Sequence, residues 1–290
     1  MLKARRLMLV CAVVSLSLMA AAITQPSSAA DGQASRRGGG RGTMPAAQPE
    51  MHRTLMSGVM RLTPGTSVNM YLVVGKEKAL LIDTGNRGNI TPEDIKALTP
   101  LPLLVVNTHA HPDHSGSNNP YEKVYIGEAD LEAAKRYGGD TELVPIRDGY
   151  VFDLGGKKLE VIAVPGHTPG SICLLDAGEK MLFGGDTANE ETWMHISNVP
   201  LETYKKSMER LLKWKDQYDQ LLPGHGEARP VSYITELIDC ADEILAGNVE
   251  QSAQRTQQAT SGNIMQSGSL HRHGSATIRY NPNNLREKDN

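Results

Sequence analysis

Cysteine, bulky aromatics and surplus charge are all scarce in this chain, and each scarcity excludes something. Three cysteines in 290 residues cannot build a disulfide scaffold or a zinc ribbon. Cys11 falls in the N-terminal apolar run, Cys173 in a strand-like segment and Cys240 in a helical one; the latter two are expected to pack rather than react. Two phenylalanines, two tryptophans and nine tyrosines offer no stacking platform for nucleic-acid bases. A formal charge of −3 argues against a polyanionic partner. No internal repeat is evident. What remains is an ordinary apolar fraction, enough to fill the core of one catalytic domain.

The two ends of the chain differ from its middle. Lys3, Arg5 and Arg6 precede an apolar stretch from Leu7 to Ile23, and Ser28-Ala29-Ala30 supplies small residues for cleavage. This is the pattern of an export signal spanning residues 1–30, too short in its apolar run for a stable span. Arg5-Arg6 leaves general and twin-arginine export both open. Removing these three positive charges and no negative ones takes the formal charge from −3 to −6. The protein is therefore expected outside the cytoplasm, periplasmic or extracellular. Residues 31–50, rich in Gly, Arg, Ala and Pro, read as a disordered leader. Residues 51–246 read as the folded domain and 247–290 as a polar tail, in which Ala276-Thr277-Ile278-Arg279-Tyr280 could add a strand. His271 and His273 in that tail are expected to face solvent.

Between the ends, strand-like runs at 68–74, 79–83, 103–107, 123–126, 159–164, 172–176 and 180–184 alternate with helical stretches at 92–98, 128–137, 201–218 and 231–246. Leu201, Tyr204, Met208, Leu211 and Leu212 form one apolar face; Ile234, Leu237, Ile238 and Ile244 form another. The alternation predicts an α/β domain.

The chemistry is concentrated at three places. Thr108-His109-Ala110-His111-Pro112-Asp113-His114 follows the apolar run Leu103-Leu104-Val105-Val106. Gly166-His167-Thr168-Pro169-Gly170-Ser171 follows a second run. Asp186 ends Phe183-Gly184-Gly185-Asp186, and His225 sits in Pro223-Gly224-His225-Gly226. In extended chain, residues two apart share a side, so His109 and His111 can reach one point. A turn at Pro112 would aim Asp113 and His114 at a neighbouring point. Imidazole and carboxylate donors suit zinc, with iron or manganese as alternatives. Seven donors exceed the need of one tetrahedral ion and suit two ions sharing a ligand.

With these motifs in place, the chain resembles the metallo-β-lactamase-fold hydrolases over about residues 55 to 246. Asn69-Met70-Tyr71-Leu72-Val73-Val74 and Leu80-Leu81-Ile82-Asp83-Thr84-Gly85 are similar to that family's opening hairpin. The resemblance implies a four-layer αββα sandwich. It implies that His109, His111 and His167 hold one metal, that Asp113, His114 and His225 hold a second, and that Asp186 bridges them. It places Asp83 in support of the ligands.

Two cations about 3.5–4 Å apart share a water acidified to hydroxide near neutral pH, which would attack an ester, lactone, thioester or related substrate. Asp113 is the expected group to orient that nucleophile and relay its proton. A bridging Asp186 favours branches resembling glyoxalase II, the lactonases and the phosphodiesterases. Asn189, where acyl-homoserine lactonases often carry tyrosine, weakens the lactonase assignment. An iron-dependent oxidoreductase on the same scaffold, or a β-lactamase, is the alternative. Trp193, Met194 and His195, leaving the Asp186 turn, are the expected contacts of a small-molecule substrate, and an apolar mouth there would suit an acyl or aromatic group. Oligomeric state is not read from this sequence.

Overall fold

Ala79-Leu80-Leu81-Ile82 is buried at every position, which requires an apolar layer on both faces of the strand that carries it. A computed structural model supplies both layers. It describes residues 52–56, 58–63, 68–136, 139–249 and 268–288; the expected signal and leader at 1–50 lie outside these. The first sheet runs in chain order: β1 (His52–Met56), β2 (Val59–Leu62), β3 (Met70–Val74), β4 (Ala79–Ile82), β5 (Leu103–Asn107), β6 (Lys123–Gly127) and β7 (Glu142–Ile146). Its first four strands pair antiparallel and the rest parallel.

The second sheet contains β8 (Val151–Asp153), β9 (Lys158–Ala163), β10 (Ile172–Asp176), β11 (Met181–Gly185), β13 (Gln220–Pro223) and β14 (Arg229–Pro230), in the order β14-β13-β11-β10-β9-β8. A small third sheet has β16 (Ala276–Tyr280) between β12 (Glu191–Trp193) and β15 (Ser269–His273). The helices are α1 (Pro92–Leu98), α2 (Pro112–Ser115), α3 (Leu131–Ala134), α4 (Leu201–Leu211) and α5 (Tyr233–Ala246).

Strand alternation sorts the apolar side chains into three layers. Tyr71, Val73, Leu80 and Ile82 of the first sheet meet Leu159, Val161, Leu174 and Phe183 of the second. Their neighbours Met70, Leu72 and Leu81 turn outward to Ile95 of α1. On the far side Ile162, Cys173, Leu175 and Leu182 meet Tyr204 and Met208 of α4 and Ile234 and Leu237 of α5. The result is the αββα sandwich expected from the motifs. Among the described residues no helix is long and apolar enough to cross a membrane.

Three expectations change. The helix beginning at Leu201 ends at Leu211 and tightens into a 3-10 turn over Leu212–Trp214. Residues 269–280 form two strands, and Ala276, Ile278 and Tyr280 join the same core as α4 and α5. His271 is consequently buried and its Nε2 lies 2.6 Å from Glu243 of α5, where His273 Nδ1 also reaches the carboxylate at 2.9 Å. A partner helix that the tail's polar composition does not announce turns His271 inward and pairs with His273, whose side chain remains 36% exposed.

Candidate metal centre and substrate cleft

Every candidate donor lies just past the carboxyl end of a strand. His109 follows β5, His167 follows β9, Asp186 follows β11 and His225 follows β13. The two sheets thus deliver donors from different layers to one edge of the sandwich. The Pro112 turn is a single-turn helix, α2, with His111 at its N-cap and Asp113 and His114 inside it. That turn aims His114 and Asp113 away from the point that His109 and His111 share.

The donor atoms form two clusters, His109-His111-His167 and Asp113-His114-Asp186-His225, each with ligand atoms within 4.8 Å of one another. In the first, His111 Nδ1 lies 3.1 Å from His109 Nε2 and 2.8 Å from His167 Nε2. Asp186 stands between the clusters. Its Oδ1 is 3.1 Å from His114 Nε2, and its Oδ2 is 3.5 Å from His225 Nε2 and 3.6 Å from His167 Nε2. Asp113 Oδ2 is 3.2 Å from His225 Nε2.

The rings are aimed by their other nitrogens. Asp83, at a left-handed φ of 64°, accepts from the Thr108 amide at 2.7 Å and hydroxyl at 2.9 Å and pairs with His114 Nδ1 at 2.8 Å. Thr108 Oγ1 meets His109 Nδ1 at 3.1 Å. The Trp193 carbonyl meets His167 Nδ1 at 2.8 Å. Three histidines thereby present Nε2 inward, and His111 presents Nδ1.

Glycine accounts for the closeness of these loops. A Cβ on Gly224 would stand 2.3 Å from Asp186 Oδ1 and 2.6 Å from His114 Cε1. Gly185, at φ +50°, would drive one into Thr108 at 2.5 Å.

The donor set carries opposed electrostatics. Burial holds His109 well below the usual histidine range, with His114 and His167 adding repulsion. Burial likewise brings His111 down to about 4 and lowers His167, so these three stand neutral, as metal ligands must. Burial opposes charge on His114 too, but Asp186 and Asp83 outweigh it and hold it well above the usual range. His225 is raised to about 10, the pull of Asp113 and Asp186 exceeding its burial. Burial resists ionisation of Asp186, yet His114, His225 and His167 bring it well below the carboxylate range. Buried His114 Nε2 and Asp186 Oδ1, despite their proximity, complete no hydrogen bond of proper geometry. Desolvated polar atoms left this way are costly. A divalent cation would satisfy them, and the histidine and carboxylate donors fit one.

Four residues outside the motifs build the site. Asp130 accepts from Ala110 N at 2.9 Å, Thr168 Oγ1 at 2.7 Å and Gly170 N at 2.7 Å, tying the two histidine loops together. Asn69 Nδ2 donates to the carbonyls of Pro223 and Gly226, and Tyr71 Oη to Pro223, fixing the His225 turn. Asn189 Oδ1 accepts from the His225 amide at 3.1 Å. No sequence signal marks Asp130; Asn69 and Tyr71 stand out only as polar tips in an apolar run.

A cleft of about 720 Å³ opens over the clusters, lined by His111, Asp113, His167, Asp186 and His225 together with Trp193, Ile196 and Glu191. Trp193 therefore lies where a substrate contact is expected. Met194, the residue after β12, does not: it is 2% exposed and packs in the core with α4 and α5, on the same side as buried Thr192 two residues before it. His195 does not line the cleft either; its ring sits edge-on to Trp193 at 5.6 Å. Ile196 takes the place expected for them.

An αββα sandwich with histidine and aspartate donors gathered at the strand ends defines a metallo-hydrolase type of architecture. The chain belongs to the metallo-beta-lactamase superfamily, whose family model matches residues 63–225. It is 31% identical over 223 residues to the acyl-coenzyme A thioesterase MBLAC2 of Gallus gallus, spanning 60% of this chain and 79% of that one. It is 27% identical over 163 residues to an atrochrysone carboxyl ACP thioesterase of Aspergillus fumigatus, 54% of this chain and 50% of that one. The solved metallo-beta-lactamase from Pontibacter korlensis superposes with a TM-score of 0.55 at 23% identity, covering 65% of this chain and 96% of that one.

Proposed function

We propose that the chain is an exported hydrolase of thioesters, or of closely related esters and lactones, that works with two divalent cations, zinc by preference. The observation that carries this is the placement of Asp186, whose two oxygens face donors of both clusters at 3.1 to 3.6 Å beneath an open cleft. His109, His111 and His167 would hold one cation and Asp113, His114 and His225 the other, with Asp186 shared. When bound, such cations supply Lewis acidity to a substrate oxygen and acidify a water.

The chain's own residues supply the rest. Asp113, with a third of its side chain exposed, takes the proton of the attacking water and passes it outward. Asp83, Thr108 and the Trp193 carbonyl keep the imidazoles aimed, so little reorganisation accompanies reaction. Trp193 and Ile196 receive the apolar part of the substrate. Thioester hydrolysis is favoured among the alternatives because two relatives are named thioesterases and because these walls suit an acyl group. Cysteine nucleophiles are not invoked: Cys173 and Cys240 are free and buried, and burial pushes both thiols up to about 12.

The test is metal analysis of the purified mature protein together with a panel of thioester, lactone, phosphodiester and β-lactam substrates. About two zinc ions per chain with thioester turnover supports the reading. Iron without hydrolysis contradicts it and points to redox chemistry. Export is checked on the protein recovered from its host: a mature N-terminus at Asp31 is expected, and one at Met1 contradicts cleavage.

A further inference from the structure

We propose that the C-terminal hairpin braces a wall of the substrate cleft from behind: Arg279, acting through Glu191, fixes the Trp193 indole there and so sets a preference for long acyl groups. This rests on the hydrolase reading for its kinetic consequence, but not for its binding consequence.

Among the described residues Trp193 is the one bulky aromatic lining the cleft, and it belongs to β12, a three-residue strand paired there with β16 alone. So short a strand does not by itself hold a large side chain in one rotamer. Beside the edge-on His195 ring, one carboxylate oxygen ties the indole down. Glu191 Oε1 accepts from Trp193 Nε1 at 2.8 Å and from Arg279 Nε at 2.6 Å. Arg279 stands opposite Trp193 in the parallel register of β12 and β16, and its carbonyl accepts from the amides of Met194 and His195. The Trp193 carbonyl, in turn, aims His167. One short strand therefore carries both an apolar wall and the orienting contact of a metal donor.

The side chains of Arg279 and Glu191 are 16% and 35% exposed, so the pair is partly shielded from solvent. The packing of this sheet is carried by Thr192 and Ile278, both fully buried. Arg279 and Glu191 are positioning residues: part of the cost of their loss falls on stability, and selectivity between acyl lengths is the readout that a purely structural role would not move.

The test uses the full-length, metal-loaded chain carrying Trp214→Phe, which leaves Trp193 as its single tryptophan. Decanoate and acetate are titrated against Trp193 emission, and decanoyl and acetyl thioesters are compared as substrates. In this parent chain decanoate perturbs the emission. Arg279→Ala is expected to red-shift the emission and to weaken decanoate about tenfold, with acetate affinity and metal content unchanged. The decanoyl thioester then loses through KM, at unchanged kcat. Arg279→Lys, which keeps the charge without the planar fork, recovers part of the loss. Glu191→Gln, which keeps an acceptor for the indole, gives a smaller loss in the same direction. Equal weakening of both acids, unchanged decanoate affinity, or a parent chain whose emission ignores decanoate would each overturn the proposal. If the parent turns over no thioester, the hydrolase reading fails, and the decanoate titrations alone decide the clamp.

Discussion

At the residue scale, the site depends on groups that never touch a cation. Asp83 binds three donors at once, so Asp83→Ala frees both the His114 ring and the Thr108 turn. Metal affinity is expected to fall 10- to 100-fold, measured by competition with a chromogenic chelator; an unchanged affinity would remove Asp83 from the site. Gly224 shows the opposite constraint, an absence of side chain. Gly224→Ala should abolish loading of the cluster containing Asp186 and His114, because the new methyl would occupy their space; a variant with full metal content would contradict this packing. The seven donors were legible because their spacing is itself the chemistry. The cleft wall was not: proximity to Asp186 marked residues 193–195, but which way each faces depends on the pairing of Trp193 with Arg279 of β16, 86 residues on in sequence, and of the three only Trp193 lines the cleft.

At the element scale, the central strands were legible because they are buried on both faces and read as unbroken apolar runs. Edge strands were not. Glu142-Leu143-Val144-Pro145-Ile146 is half-exposed and contains a proline, the composition of a protected edge rather than a core strand. The C-terminal hairpin was half legible, since Ala276–Tyr280 alternates while Ser269–His273 carries an arginine and two histidines, and the partner of both histidines, Glu243, lies on α5. Between elements, Asp130 acts as a clasp from the start of α3 to the loops of His109 and His167. Asp130→Ala leaves buried donors unpaired and should cost about 1–3 kcal/mol by urea denaturation, with weakened metal loading at His109, His111 and His167. Loss of stability with intact loading would show that the clasp serves the fold alone.

At the scale of the whole molecule, the two clusters give the metal-stripped protein a distinctive pH dependence. His109, His111 and His167 have lowered folded-state pKa values, so the stability they contribute is present above the unfolded value near 6.5 and is lost as pH falls towards about 4. His114 and His225 have raised values, so their contribution is full below that unfolded value and is lost as pH rises towards about 10. The chelated protein should therefore melt highest near pH 6.5, by calorimetry across the range; a melting temperature that climbs steadily with pH would show that the clusters do not govern its stability. Whether Asp186 joins two metal positions into one hydrolytic site is decided by the metal content and thioester turnover of Asp186→Ala beside the unmodified protein. About two ions per chain are expected to fall to one or fewer, with turnover reduced at least about a thousandfold. Unchanged metal content with unchanged turnover would contradict that joining role.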